Sequence, residues 1–210
     1  RLSKPLIAKK QFMAAESMLL KAASHDSSAA DIWNSMAIVS SEQGKRAEAL
    51  VYMRKAVATG KANAELHTNL ARIYLENRQL DSAEAHCRLA LDKDPGFVAA
   101  RNNLAIALMQ SGDMRGAADE FMRAVELSPD FLPAQQNLVV VLGRLGRLRD
   151  AQRFFGAQVQ SKPGHAALQY SLGLVLVESG NIVEAAKHFN KDLALSPGFA
   201  PAMEQLARMK

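Results

Sequence analysis

The chain has 210 residues, of which 49% are apolar, 22% charged and 6% aromatic. This length allows one or two domains with a substantial core. The 26 basic and 21 acidic residues give a net charge of +5 and are mixed along the sequence. A nucleic-acid partner is not predicted, because such a protein concentrates basic charge on one face and adds stacking aromatics. The densest basic stretch contains Arg144, Arg147, Arg149 and Arg153, and we interpret it as solvated surface.

The most frequent residues, among them Ala, Leu, Glu and Arg, are strong helix formers, and they predict an all-α protein. No apolar run approaches the ~20 residues that span a membrane. The single cysteine, Cys87, excludes an internal disulfide and leaves the compartment open. The sequence begins at Arg1 without an initiator Met, so we expect a piece of a longer protein. The sequence does not determine the location, and the two candidates are the cytoplasm and, if a signal or lipid anchor was trimmed, the periplasm.

In chain order, a repeat with a period of 34 residues organises the predicted elements. Residues 1–29 are predicted to form a partial repeat or cap, and Pro5 predicts that residues 1–9 do not form a normal helix. Residues 200–210 are predicted to form a C-terminal capping helix or the start of a further repeat. Between them lie five tandem units: 30–63, 64–97, 98–131, 132–165 and 166–199.

Each unit is predicted to be a helical hairpin, because the same residue types recur at the same positions. Glycine marks the turn after the first helix, except for Arg78, since glycine adopts the left-handed conformation at little cost. Proline ends the second helix because it lacks the N–H that a continuing helix needs. A single hairpin cannot cover its own apolar face, so neighbouring hairpins must stack. The recurring residues are an apolar column (Met36, Leu70, Leu104, Leu138, Leu172, Leu206), an alanine column (Ala15, Ala49, Ala83, Ala117, Ala151, Ala185), the turn glycines (Gly44, Gly112, Gly146, Gly180) and the prolines (Pro95, Pro129, Pro163, Pro197).

Three residues depart from this pattern. Lys61 replaces the helix-ending proline of the first full unit. Gln158 and Asp192 replace a small alanine that stands at the corresponding position in the earlier units. We expect looser or shifted helix packing in the fifth unit, at Asp192.

The columns resemble the tetratricopeptide repeat (TPR) signature over residues 10–210. The residues that carry the resemblance best are those of the second unit: Asn69, Leu70, Ala71, Tyr74, Ala83, Ala90 and Pro95. The resemblance implies a right-handed α-solenoid of stacked antiparallel helix pairs. It also implies a scaffold that binds a protein or peptide partner and is not an enzyme.

The residues that could support catalysis are explained by the repeat. Cys87 shares a column with Leu19, Met53, Phe121, Phe155 and Phe189, which predicts a buried apolar side chain rather than a nucleophile. His86 and His188 share another column, which we interpret as a surface position. The five histidines show no metal-ligand spacing and no cysteine pair completes a zinc site, so neither a metal nor a cofactor is predicted.

In the TPR family the first helix of each unit lines a concave surface, and this places a row of amides on a groove. Asn69, Asn103 and Asn137 each precede the constant Leu. An Asn amide can both donate to and accept from a peptide backbone, and the row resembles the asparagine ladder of the protein O-GlcNAc transferase superhelix. The alternative is that these amides bond the neighbouring hairpin, and we keep both hypotheses.

The remaining groove candidates divide into an acidic N-terminal part and an apolar C-terminal part. Arg72 is surrounded by acids, which does not favour a clamp for a peptide carboxylate. The apolar part suits an apolar or amphipathic ligand, although the same residues could pack between first helices instead. The acids are Asp31, Glu42, Glu65 and Glu76, and the other candidates are Asn102, Gln136, Ile106, Met109, Val140, Tyr170, Leu174 and Val177.

The sequence therefore predicts a protein–protein interaction scaffold that binds a peptide or helix in its groove. One alternative is a targeting module of a larger enzyme, such as a glycosyltransferase. Another is a bacterial envelope or pilus-assembly lipoprotein. Self-association is also an expectation, because the terminal helix carries an apolar side formed by Met203, Leu206 and Ala207.

Overall fold

The computed structural model describes residues 4–26, 29–60 and 62–209, with side chains from Phe12 onward. These residues form helices joined by short turns, and no strand occurs among them. The predicted all-α class is confirmed. Lys61, one of the three predicted departures, lies outside the described residues. The helices are α1 (Lys4–His25), α2 (Ala30–Glu42), α3 (Arg46–Ala58), α4 (Ala64–Glu76), α5 (Leu80–Lys93), α6 (Val98–Ser111), α7 (Met114–Leu127), α8 (Leu132–Arg144), α9 (Leu148–Ser161), α10 (Ala166–Glu178), α11 (Ile182–Leu195) and α12 (Ala200–Arg208).

Helix α1 corrects the prediction for the N-terminal residues. It begins at Lys4 and runs for 22 residues, so the absence of a helix before residue 10 was wrongly predicted from Pro5. Proline is tolerated in the first turn because the N–H it lacks has no partner inside the helix there. Residues 1–3 lie outside the described part of the chain.

The helices from α2 to α11 are 13 or 14 residues long, in agreement with the predicted hairpins. The glycine predicted at each turn has a positive φ, which reverses the chain after the first helix. Arg78 takes the same left-handed conformation with a φ of 57°, the exception that the sequence identified. A non-glycine residue bears a conformational cost there.

Proline ends the second helix of a hairpin as expected. Helix α5 ends at Lys93 with Asp94 as its C-cap, and Pro95 follows immediately. The same order holds after α7, α9 and α11, where Pro129, Pro163 and Pro197 follow the caps. The residue before a proline is pushed out of the helical region, so the helix must end before the ring.

The chain divides into two compact units, Arg1–Ala107 and Leu108–Lys210, and the boundary falls within α6. In the first unit, each of the helices α1 to α4 packs against the next one along the chain. In the second unit, α8 packs against α7, α9 and α10, while α11 packs against α10 and α12. Neighbouring hairpins thus share a core within each unit, as a solenoid requires.

Small and large side chains alternate in both cores. The column alanines Ala49 and Ala83 of the first unit and Ala151 and Ala185 of the second are fully buried. Fully buried larger side chains fill the space beside them: Met53 and Cys87 in the first unit, and Phe121, Phe155 and Phe189 in the second. Burying one such Phe contributes about 1.5–3 kcal/mol. The prediction of a buried Cys87 is confirmed.

The two polar replacements of the small alanine do not interrupt their helices. Helices α9 and α11 have the same 14-residue length as α5 and α7. Asp192 is only 1% exposed, and neither of its carboxylate oxygens has a hydrogen-bond partner. The carboxylate of Asp192 is thus enclosed rather than opened to water, and looser or shifted helix packing there stays a prediction.

Candidate functional site

A cleft of about 550 Å³ opens between α10, the start of α11 and α12 in the second unit. It lies within the range of about 300–1,000 Å³ that is usual for binding pockets. Apolar side chains and two opposite charges line it together. Its residues are Leu174, Val177 and Glu178 from α10, Ile182 from α11, and Gln205, Arg208 and Met209 from the C-terminal end of the chain.

Two of the predicted groove residues, Leu174 and Val177, lie in this cleft. The predicted site residues do not include the other five residues that line the cleft: Glu178, Ile182, Gln205, Arg208 and Met209. The repeat contained the signal for Arg208, since it stands at the same repeat position as Leu174. Residues 200–210 are predicted to be a capping helix or the start of a further repeat, and the groove prediction does not extend to them.

Polar side chains from the first helices α8, α10 and α12 lie near one another around Tyr170. Burial raises the pKa of Tyr170, and the amides of Gln136 and Gln205 act in the opposite direction. Tyr170 is 4% exposed, and its ring meets the Phe199 ring edge-on, with a centroid distance of 5.2 Å. Tyr170 is therefore mainly a packing residue.

The remaining candidates of the second unit lie on or near the same helices. Val140 is 47% exposed on α8. Asn137 is half-buried beside the fully buried Leu138. Met109 lies at the end of α6 and is also half-buried. Val140 is thus the most accessible apolar side chain among the predicted groove residues.

In the first unit, Asn69 makes a contact that sequence reasoning had left as an alternative. Its Nδ2 donates to Oδ1 of Asn34 on α2, at 3.1 Å. The amide therefore bonds the neighbouring hairpin. Asn103 is half-buried on α6, whereas Asn102 is 7% exposed with an Oδ1 that lacks a partner. Ile106, on the same helix, is half-buried.

Arg72 is engaged within its own helix. Its Nη1 lies 2.5 Å from Oε1 of Glu76, and the other carboxylate oxygen of Glu76 accepts from Ser41 Oγ at 2.7 Å. Asp31 and Glu65, two of the other acids predicted for this groove, are exposed. This face of the first unit therefore keeps its acidic character, and Arg72 is not available as an isolated cation.

The two histidines that were predicted at the surface lie between the helices of their hairpins, so that prediction was wrong. His86 Nδ1 is 3.1 Å from His67 Nδ1, and the His86 ring stacks on Tyr74 with a centroid distance of 5.5 Å. His188 Nδ1 lies 2.8 Å from Gln169 Oε1. Burial lowers the pKa of His67, His86 and His188. A column position alone could not show which way these rings turn.

Comparison with known families identifies the repeat. A tetratricopeptide repeat model matches residues 70–130 and 137–198, and another matches residues 40–89. The matched segments cover more than half of the chain. The chain belongs to the tetratricopeptide repeat family. The predicted resemblance is confirmed, and a search of curated proteins finds no match to this sequence.

Solved TPR structures share the fold at low sequence identity. YrrB, a TPR protein described as having an unusual peptide-binding site, is 21% identical with a TM-score of 0.57, over 90% of this chain and 97% of its own. TTC0263 from Thermus thermophilus is 16% identical with a TM-score of 0.59, over 86% and 98%. Pseudomonas aeruginosa pilF is 18% identical with a TM-score of 0.60, over 86% and 82%. These likenesses confirm the predicted fold class, a TPR solenoid of stacked helix pairs.

The only cysteine of this TPR chain is enclosed in its core. Cys87 is fully buried, and burial raises the pKa of its thiol to about 12, so the thiolate is not formed at neutral pH. In the part of the chain that the structure describes, no three metal-ligating side chains cluster. None of the helices described is long and apolar enough to cross a membrane. The features that can recognise another molecule are the cleft and the exposed helix faces.

Proposed function

We propose that the chain is a scaffold that holds a peptide or helix of a partner protein on the first helices of its repeats. TPR proteins in general bind protein partners, and the family and fold support this class of function. The cleft formed by α10, α11 and α12 carries the more specific proposal. Its apolar side chains can bury part of a ligand, while its amide and charged groups can orient it.

The chemistry of the cleft favours an amphipathic ligand. Leu174, Val177 and Ile182 supply apolar contact area, and Gln205 can pair with a peptide backbone through either end of its amide. Glu178 and Arg208 bring opposite charges into the same cleft. A peptide with an apolar residue flanked by charges of both signs would satisfy all of these groups.

The predicted groove residues that lie outside the cleft enter this proposal with separate roles. Asn103, Asn137, Gln136 and Val140 are offered as additional contacts on the first helices of their own units. Asn69 and Arg72 are less suited to bind a ligand, because each already has a partner within the chain. The five-repeat division of residues 30–199 is part of the proposal, since it defines which helices are first helices.

The test is a selection from a displayed peptide library with the chain as bait, followed by affinity measurements on the recovered peptides. The decisive variant is Val177→Lys, which places a charge in the cleft. The matched control is Val183→Lys on α11, where the valine is 74% exposed and does not line the cleft. We expect Val177→Lys to weaken binding by about tenfold or more, equivalent to about 1.4 kcal/mol.

The proposal fails if recovered peptides bind the Val177→Lys chain as tightly as the unmodified chain. It also fails if the Val183→Lys control is impaired to the same extent. Circular dichroism of both variants separates a binding defect from a loss of helical structure. The targeting-module and envelope-lipoprotein alternatives, and the absence of enzymatic activity, stay predictions.

A further inference from the structure

Helix α9 carries a notch on the side opposite its buried face. The depression has a volume of about 450 Å³ and is lined entirely by side chains of this second helix. Ala151 and Phe155 point the other way and are fully buried. The notch residues are Arg149, Gln152, Arg153, Gly156, Ala157 and Gln160.

Comparison with the other repeats shows that the floor of this notch lacks long side chains. The other second helices carry longer side chains at the two positions that Gly156 and Ala157 occupy. Only the unit 132–165 has small residues at both. The residues equivalent to Gly156 are Arg54, Arg88, Met122 and Asn190, and those equivalent to Ala157 are Lys55, Leu89, Arg123 and Lys191.

Nothing inside the molecule accounts for Gly156. It lies within a regular helix without a positive φ, and a Cβ added there would meet no atom within 4 Å. Gly173 on α10 is different, because an added Cβ would lie 2.5 Å from Cε1 of Phe189. A glycine inside a helix is less stable than alanine by about 0.5–1 kcal/mol. No contact inside the chain explains this cost at Gly156. A glycine would allow the backbone of another molecule to approach α9 closely at this point.

The wall of the notch is basic. Arg149 forms no ion pair with any acidic residue in the part of the chain that the structure describes. The Arg153 side chain is 82% exposed, and its partner Asp150 lies 3.5 Å away while also bonding Arg147 at 2.7 Å. Guanidinium groups pair with carboxylates through two parallel hydrogen bonds. The guanidinium groups of Arg149 and Arg153 can therefore bind carboxylates of another molecule.

We propose that the notch of α9 docks an acidic helix of a partner protein. The partner backbone crosses α9 over Gly156 and Ala157, where short side chains allow a small distance between helix axes. Its carboxylates pair with Arg149 and Arg153, so that charge complementarity selects the partner. This second binding face lies on α9, and none of its residues lines the cleft formed by α10, α11 and α12.

Two substitutions of Gly156 separate docking from stability. Gly156→Ala should raise the melting temperature, because alanine favours the helix and meets no obstacle. Gly156→Leu fills the notch and should abolish docking while the chain stays folded, since the side chain points to open space. Gly143→Ala on α8 is the matched control, as its added Cβ makes only an ordinary contact with Leu148 Cδ2 at 3.7 Å.

The binding experiment uses a displayed library of helical peptides, selected on the unmodified chain after depletion on the Gly156→Leu chain. We expect recovered peptides rich in Asp and Glu. Their affinity should fall about tenfold or more in the Arg149→Gln/Arg153→Gln variant, as expected for lost charge pairs, and should weaken at high salt. Val177→Lys, in the other cleft, should leave their affinity unchanged.

Several results would overturn the proposal. One is the failure to recover any peptide that depends on the notch, and another is recovery of peptides without acidic enrichment. A third is equal binding of the recovered peptides to the Gly156→Leu chain. Binding of an oligouridylate RNA that is lost in the Arg149→Gln/Arg153→Gln variant, without any notch-dependent peptide, would assign the face to nucleic acid instead.

Discussion

The hairpin α4–α5 of the first unit and the hairpin α10–α11 of the second are copies of one repeat with different interiors. Cys87 and Phe189 occupy the same repeat position, and both are fully buried. The larger ring is accommodated because Gly173 stands on the first helix where the other hairpin has Ala71. The comparison teaches that hairpin α10–α11 fits its ring through a change on the facing helix, as close packing requires. Phe121 and Phe155, at the same repeat position, are fully buried with Ala105 and Val139 in place of Gly173.

The polar contacts of the two hairpins differ in the same way. His67 and His86 bond each other at 3.1 Å, whereas Gln169 and His188 at the equivalent positions bond each other at 2.8 Å. The geometry of the contact is kept, but the first pair carries two titratable rings and the second carries one. The alanine-to-acid exchange at position 192 adds a buried charge to the second hairpin only.

The largest expected change in stability comes from replacing Gly173, the small residue of hairpin α10–α11. In Gly173→Ala the new Cβ would lie 2.5 Å from Phe189 Cε1, and the enclosed ring has little space to move. We expect a loss of about 3 kcal/mol in the free energy of unfolding, measured by urea denaturation. Adding Phe189→Leu should recover much of it, because the pair then approaches the volumes found in the first hairpin. Additive losses in the double variant would contradict volume exchange.

The second prediction is a gain in stability when hairpin α10–α11 is made more like hairpin α4–α5. Asp192→Ala restores the residue type of Ala90 and removes an unpaired buried carboxylate. We expect about 2 kcal/mol of added stability above neutral pH.

The pH dependence of this gain follows from the titration of the carboxyl. Burial raises the pKa of Asp192 from 3.8 to about 6 in the folded state. The folded state therefore holds a proton that the unfolded state releases, and the parent chain loses stability as pH rises through this interval. The gain from Asp192→Ala should be largest above about pH 7 and nearly vanish below about pH 4. A gain independent of pH would show that the carboxylate is not the cause.

The third prediction concerns acid sensitivity in the first hairpin. Burial, followed by Lys93, lowers the pKa of His67, and burial, followed by His67 and Arg54, lowers that of His86. Because these folded-state pKa values lie below the ordinary 6.5, the unfolded state binds protons more readily than the folded state. The chain therefore keeps its full stability above about pH 6.5 and loses stability as pH falls through the folded-state pKa values.

Replacing His67 by Gln copies the contact of the second hairpin and removes one of the two titrating rings. We expect the His67→Gln chain to lose less stability on acidification from pH 7 to 5, by about 1 kcal/mol, since the hydrogen bond can then persist. Thermal melts at both pH values provide the measurement. The reverse exchange, Gln169→His, should increase acid sensitivity in the second hairpin, and unchanged behaviour in both variants would contradict the explanation.

The smallest expected changes in stability concern Asn69, Asn103 and Asn137, the three amides that precede the constant Leu. Asn69→Ala removes the bond to Asn34 and should cost about 0.5–1 kcal/mol. The combination of Asn103→Ala and Asn137→Ala should change stability by less than about 0.5 kcal/mol, as is usual away from structural contacts. It should nevertheless weaken partner binding if these amides hold a peptide. Thermal denaturation and peptide titration would decide this, and a large loss of stability in the double variant would instead favour a purely structural role.

Much of the fold could be predicted because each local signal has one dominant physical cause. The turn glycines need a positive φ, and the prolines cannot continue a helix. Alanine recurs at the same repeat positions, which predicts close helix packing. Arg78, which replaces the turn glycine, has the positive φ of that turn. Among the predicted site residues, Leu174 and Val177 lie in a common cleft.

The sequence by itself determined the repeat, its helix lengths and the burial of Cys87, since these follow from backbone chemistry and from a period that repeats the same environment. Only the tertiary structure decided the side-chain partners. It turned His86 toward His67, joined Asn69 to Asn34, enclosed Asp192, and left open space beside Gly156. A column shows what kind of position a residue occupies, but the direction of a flexible side chain and the atoms it meets depend on the neighbouring helices, whose residues differ from one repeat to the next.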